Sequence, residues 1–133
     1  SQWIERQSGI TGAQLWALQE LFERPGLRVG ELSNLMALHQ STVSNMVDRL
    51  ETGALVRKER SAADQRVVRL YLTEKGGELL AEAPSPARGV LPEALRTLDG
   101  GDLGQLQRSL DQLLRQIKKM DEGFGMQPLP FTE

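Results

Sequence analysis

The sequence has 133 residues, 39% of them hydrophobic and 26% charged, with a formal net charge of −2. That length suits one domain with a real core and leaves no room for a second. Cysteine is absent and histidine occurs once, which excludes disulfides, thiolate nucleophiles, cysteine redox switches and any multi-histidine metal site.

No apolar run reaches membrane-spanning length and no secretory signal opens the chain, so a cytoplasmic protein with no membrane partner is the expectation. Charge is unevenly placed. Between Arg28 and Lys75 eight Lys/Arg stand against six Asp/Glu, whereas the remainder carries eight against twelve. A positive excess in the middle of an acidic chain points weakly to an anionic partner.

Residues 1–9 form a short polar lead with Trp3 and Ile4, read as the tail of a helix. Thr11 is a good N-cap. Gln14 stands three residues on, as a capping box requires, and Ile10 with Leu15 suits a hydrophobic staple. The helix that follows is expected to bury Leu15, Leu18, Leu21 and Phe22, and Glu23-Arg24-Pro25-Gly26 ends it. Leu27-Arg28-Val29 reads as a brief extended piece, with Arg28 a poor substitute for a capping Ser or Thr.

Two apolar stripes at helical spacing come next, Leu32, Leu35 and Met36, then Val43, Met46, Val47 and Leu50. Between them, Ala37-Leu38-His39-Gln40 has room only for a tight turn, which makes the pair a helix-turn-helix. The outer face of the second helix carries Gln40, Ser41, Thr42, Ser44, Asn45, Asp48 and Arg49. Such hydrogen-bonding groups suit base edges and phosphates in a major groove, although an ordinary surface helix also tolerates them. Gly53 is placed for a left-handed turn that closes this helix.

Val56–Arg60 and Val67–Leu72 read as the strands of a hairpin, with Ser61–Arg66 as its loop. The hairpin carries Arg57, Lys58, Arg60, Arg66 and Arg69 against Glu59 and Asp64. A basic hairpin directly after a helix-turn-helix is a wing, suited to phosphates or to the negative potential of a minor groove. Thr73 caps a further helix through Leu79 and Leu80, which Ala83-Pro84-Ser85-Pro86 must stop or kink. The chain restarts near Val90-Leu91-Pro92, breaks at Asp99-Gly100-Gly101, and ends in a helix with the stripe Leu103, Leu106, Leu110, Leu113, Leu114 and Ile117. So leucine-rich a face suits a partner subunit. Residues 123–133 read as an irregular tail.

With these elements laid out, the chain resembles the MarR (multiple-antibiotic-resistance) type of transcriptional regulator. The resemblance runs from Ile10 to Ile117 in element order and is most specific between Gly26 and Gly76. There GLRVGELSNLMALHQSTVSNMVDRLETGALVRKE, the wing-tip Asp64-Gln65-Arg66 and Leu72-Thr73-Glu74-Lys75-Gly76 match the family pattern. The fold class is therefore mainly α with a small β-hairpin wing, a winged helix-turn-helix at residues 10–76. Flanking dimerisation helices occupy residues 1–9 and 77–122. The resemblance implies an obligate homodimer on pseudo-palindromic double-stranded DNA, with the helix from about Gln40 to Thr52 in the major groove and the wing in the flanking minor groove. It also implies that a small aromatic or phenolic effector, bound between the dimerisation and DNA-binding regions, releases a repressor. Two departures stand out. Only nine residues precede Ile10, so part of the dimerisation region is expected to be missing, and Pro84-Ser85-Pro86 interrupts what is normally one long helix.

The expected DNA contacts are Gln40, Ser41, Thr42, Ser44 and Asn45 on base edges or phosphates. Asn and Gln can bind adenine bidentately. Arg49 is expected on a phosphate, or paired with Asp48 or Glu51, and His39 as a solvated turn residue. In the wing, Asp64 and Arg66 resemble the family's tip pair, in which the acid holds the arginine in position, with Arg60 and Arg69 adding backbone attraction. Trp16 and Trp3 line an effector pocket or simply pack. No cofactor or metal is expected, and an enzyme has little support, because there is no phosphate-binding glycine loop and no nucleophile with a base. The stronger rival is a winged-helix protein-interaction module, which would have no reason to line its wing with arginine.

Overall fold

Thr11 and Gln14 start the first helix as their spacing predicts. The Thr11 hydroxyl accepts from the Gln14 amide at 3.1 Å, and the Gln14 side chain accepts from the Thr11 amide at 2.9 Å. The structure is a computed structural model and describes residues 10–123; the expected helix tail with Trp3 and Ile4, and the tail beyond residue 123, lie outside the described residues. The elements run α1 (Gly12–Glu23), α2 (Val29–Met36), α3 (Gln40–Thr52), β1 (Val56–Arg60), β2 (Val68–Leu72), α4 (Glu74–Glu82), α5 (Val90–Thr97) and α6 (Gly100–Gly123).

The chain divides into two compact units, one ending at Glu93 and the other beginning at Ala94. In the first unit, Leu18 and Leu21 of α1, Leu32 and Met36 of α2, and Val43, Val47 and Leu50 of α3 close on Val56 and Leu70 of the hairpin. Each such side chain removed from water stabilises the fold by about 1.5–3 kcal/mol. β1 and β2 pair antiparallel in the register Val56 opposite Leu72 and Arg60 opposite Val68. Leu27 adds a bridge to Leu70, so the link between α1 and α2 is stitched to β2 on the side away from β1.

The first turn of α2 solves its capping problem in reverse. Arg28 has no side-chain acceptor to offer, but Glu31 reaches back to accept from the Arg28 amide at 2.9 Å. Helix α4 is locked to the end of α3 by the Leu72–Gly76 stretch. The Thr73 hydroxyl donates to the Ala54 carbonyl at 2.6 Å, the Thr73 amide donates to Leu55, and the Lys75 ammonium donates to the Gly53 carbonyl. Gly76 lies so close to that turn that a Cβ would stand 2.2 Å from the Leu55 carbonyl oxygen.

Several expectations are corrected. Phe22 is not buried: it is 62% exposed, because Leu21 beside it takes the core-facing position of the last turn. Leu35 is likewise partly exposed, one helical step off the Leu32–Met36 face. Gly53 does not take the left-handed conformation. Its φ is −78°, and Ala54 adopts φ 60° instead, while Leu55 donates to the Leu50 carbonyl as the turn closes. Ala37 ends α2 in the same left-handed way at φ 55°. Of the break expected at Asp99-Gly100-Gly101, only Asp99 lies outside a helix. Asp99 accepts from the Gly101 amide, and both glycines belong to the first turn of α6. Gly123, expected to start the tail, still belongs to α6. The stop at Ala83 and the restart at Val90 fall where the prolines put them.

The two turn positions make opposite predictions. Ala54→Gly should raise stability by about 1 kcal/mol, because it relieves a left-handed alanine. Gly76→Ala should lower it by about 1–3 kcal/mol through the clash with Leu55. Urea denaturation of the two variants measures both; a neutral Gly76→Ala would show that α4 does not press on the α3–β1 turn.

Candidate nucleic-acid interface

Helix α3 presents two faces of different chemistry. Val43, Met46, Val47 and Leu50 are buried, while Gln40, Ser41, Thr42, Asn45 and Arg49 are exposed and Ser44 is half-buried. None of these six polar side chains has a hydrogen-bond or ion-pair partner among the described residues. Their donors and acceptors therefore face outward unspent. His39, the N-cap residue, is exposed and makes no side-chain cap.

The expected alternative for Arg49, pairing with Asp48 or Glu51, is not what forms. Both carboxylates lie on Lys58 of β1, at 2.5 and 3.5 Å. The hydrogen bond to Asp48 is the main cause that raises the Lys58 pKa above its ordinary value, against the effect of burial. Sequence reading gave Lys58 only a share in the wing's charge. The period of two along β1 was the available signal, since it places Lys58 on the same side as the buried Val56.

At the wing tip, Asp64 holds Arg66 in a fork. One carboxylate oxygen accepts from the Arg66 amide at 3.0 Å and from Nε at 3.1 Å, and the other from Nη2 at 3.2 Å. The Arg66 side chain is nonetheless 91% exposed, so its orientation is set while its outer edge stays in water. Arg60 donates to the Gln65 carbonyl at 2.8 Å and so ties the loop to β1. Arg69 donates to the Gly26 carbonyl at 3.0 Å, which spends one arm of it on holding the α1–α2 link. Arg57 lies over the Tyr71 ring, 4.6 Å from its centre, and pairs with Glu59. Arg66 is fixed in direction and its side chain is 91% exposed, against 51% for Arg57. Gln40 and Arg66 share the rim of a hollow of about 490 Å³ between α2 and the wing, with Arg28, Gly30 and Asn34. The geometry thus brings one end of α3 and the wing tip onto a single surface.

Trp16 is half-buried at a different place. Its ring lines a largely apolar hollow of about 420 Å³ between α1 and the segment Pro84–Val90. Its indole N–H donates to Glu20 at 3.0 Å. Glu20 in turn accepts from Arg88, a residue sequence reading did not single out, which also donates to Glu93 and Glu23. Burial works to lower the Arg88 pKa, but the hydrogen bonds to Glu93 and Glu23 outweigh it, so the guanidinium stays charged. Nothing in the sequence marks this arginine, because its partners lie in two other elements.

Among known proteins, a family model described as the MarR family matches residues 8–67. The uncharacterized HTH-type transcriptional regulator YsmB of Bacillus subtilis is 30% identical over 116 residues, which are 87% of this chain and 80% of that protein. The HTH-type transcriptional repressor MdtR of the same organism is 30% identical over 123 residues, 92% of this chain and 78% of its own. Among solved structures, a MarR family protein from Bacillus stearothermophilus superposes with a TM-score of 0.55 at 35% identity, over 86% of this chain and 80% of that one.

The wing-tip fork sets a pH dependence. Hydrogen bonds from the Arg66 side chain and then its amide hold the Asp64 carboxyl below its ordinary value of 3.8. The order it gives the tip is therefore complete above that value and is lost as pH falls through the lowered one. In an NMR titration the Asp64 carboxyl should have its midpoint below 3.8 and return towards it in Arg66→Gln; equal midpoints in the two proteins would show the fork is not formed.

Proposed function

The chain belongs to the MarR family of winged helix-turn-helix transcriptional regulators, and from that premise we propose that it is a repressor binding pseudo-palindromic operator DNA as a homodimer. The observation that carries this reading is the unspent polar face of α3 beside a wing arginine held in place by its own aspartate. Residues 10–76 read the DNA, and residues 77–122 join the two copies. Helix α3 enters the major groove with Gln40, Ser41, Thr42, Ser44 and Asn45 towards base edges and phosphates, and Arg49 on the backbone. Arg66, steadied by Asp64, reaches the flanking minor groove, where a narrow groove concentrates negative potential. Arg60 and Arg69 add attraction from beside it while keeping their structural bonds.

Support for the dimer comes from α6, where Leu103, Leu106, Leu110, Leu113 and Leu114 are 38–62% exposed along one helix. A leucine face of that length calls for a cover. Two copies then present two α3 helices to half-sites about one helical turn apart. Release by a small aromatic effector fits the hollow beside Trp16, since that hollow adjoins α1 of the DNA-reading unit. A chain without cysteine cannot be switched through a thiol.

Reading and holding separate in mutants. Asn45→Ala should cost about 1–3 kcal/mol on the operator and little on random DNA, because a bidentate amide contact is lost only where the right base stands. Arg66→Ala should weaken both duplexes more evenly and flatten the dependence of log affinity on log salt. Binding of the two variants to operator and random duplexes over a salt series is the test. Equal weakening of both duplexes by Asn45→Ala, with an unchanged salt slope in Arg66→Ala, would reverse the assignment of α3 and wing. Sedimentation of the full-length protein should give a dimer; a monomer at micromolar concentration would remove the two-half-site geometry.

A further inference from the structure

Arg28 stands where α2 would take a capping Ser or Thr, and a guanidinium has no acceptor to offer the free amides of the first turn. Glu31 already reaches back to the Arg28 amide, so half of a capping box is in place and the other half is missing. The Arg28 side chain instead lines the hollow of about 490 Å³ between α2 and the wing. It is 54% exposed, and its bond to Glu31 at 3.3 Å uses Nε alone. Neither of its terminal nitrogens has a partner among the described residues. Asn34 and Gln40 stand on the same wall, exposed and likewise without a side-chain bond among the described residues, and Arg66 completes the rim. Two arginines and one carboxylate, Glu31, therefore line the hollow.

Adjacent major and minor grooves of a duplex are separated by a single sugar-phosphate strand. With α3 in one groove and the wing tip in the next, that strand has to pass between Gln40 and Arg66, over this hollow. We infer that the hollow seats that strand, and that Arg28 holds a phosphate there through its two terminal nitrogens, with the amides of Asn34 and Gln40 as further donors. The planar guanidinium fork matches phosphate oxygens two at a time. The inference rests on the DNA-reading function proposed above and adds a holding residue that lies outside both α3 and the wing. Such a contact fixes the register of the protein on the duplex and reads no sequence. It also gives the missing cap a reason: a threonine at this position would firm the helix and leave the strand without its cation.

Arg28→Thr separates this role from a structural one, because it moves stability and binding in opposite directions. Threonine completes the box with Glu31, so the urea midpoint should rise. The duplexes are an operator recovered by selection from a random pool and a random sequence of the same length. Binding to both should weaken alike, by about five- to ten-fold at about 0.1 M salt, and the slope of log affinity on log salt should become shallower by about 0.9. Arg28→Lys keeps the charge and should keep the slope. Uncharged methylphosphonates, placed one at a time along the operator backbone, locate the contact. One on the strand between the α3 groove and the wing groove should weaken wild-type binding and weaken Arg28→Thr no further. An unchanged salt slope in Arg28→Thr, or equal losses for the two proteins at every methylphosphonate, overturns the inference while the functional reading stands on normal wild-type binding. A wild-type protein that binds no duplex overturns both.

Discussion

The burial of Val43, Met46, Val47 and Leu50 is the constraint on which the rest of the molecule depends. These residues sit on one face of α3 at helical spacing, and sinking them between α1, α2 and the hairpin leaves that helix no freedom to roll. Gln40, Ser41, Thr42, Ser44, Asn45 and Arg49 on the other side are then fixed in direction without a side-chain partner among the described residues. A helix held from behind can keep its polar face unsatisfied and ready, because the cost of ordering it has been met by the core. The lock at Thr73, Lys75 and Gly76 completes this by pinning the C-terminal end of α3 through the backbone of the turn that follows.

Electrostatics divides the labour among the cations. Lys58 takes both Asp48 and Glu51 of α3, which removes them as partners for Arg49 and ties the helix to β1. Arg57, Arg60 and Arg69 are tied to Glu59, Gln65 and Gly26, so they shape the hairpin as much as they charge it. Arg66 differs, since its one partner is a neighbour two residues away that orients it without covering it. Exposed ion pairs of this kind add little stability, and the fork at Asp64 is better understood as aim than as glue. The ionic group around Arg88 is the reverse case: it is buried, and it fastens α1 to the chain beyond the Pro84-Ser85-Pro86 break.

Much of this was legible in the sequence because it depends on local rules. The capping box at Thr11, the stop at Ala83, the two stripes of the helix-turn-helix and the hairpin all follow from spacing within a few residues. The family resemblance of Gly26–Gly76 added which helix should read DNA. What was not legible depended on packing between distant elements. Phe22 looked as apolar as Leu21, and only the direction of the last turn of α1 decides which of them is covered. Gly53 looked like the left-handed residue, yet the closing turn needed that conformation one position later and settled on Ala54. Arg88 carried no local signal at all, because Glu20 and Glu23 stand more than sixty residues before it. The polar face of α3 was read correctly as a face, its side chains exposed or half-buried and without a partner among the described residues.

The central claim is that α3 and the wing tip occupy adjacent grooves of the same half-site, twice over in a symmetric complex. The absence of cysteine makes this directly measurable, since Ala63→Cys at the exposed wing tip would be the single attachment point for an iron–EDTA cleavage reagent. On operator DNA the account predicts two cleavage clusters, symmetric about the operator centre, each with the 3′-shifted stagger of a minor groove and lying outside the bases protected by α3. Cleavage concentrated at the operator centre, or staggered as in a major groove, would contradict it.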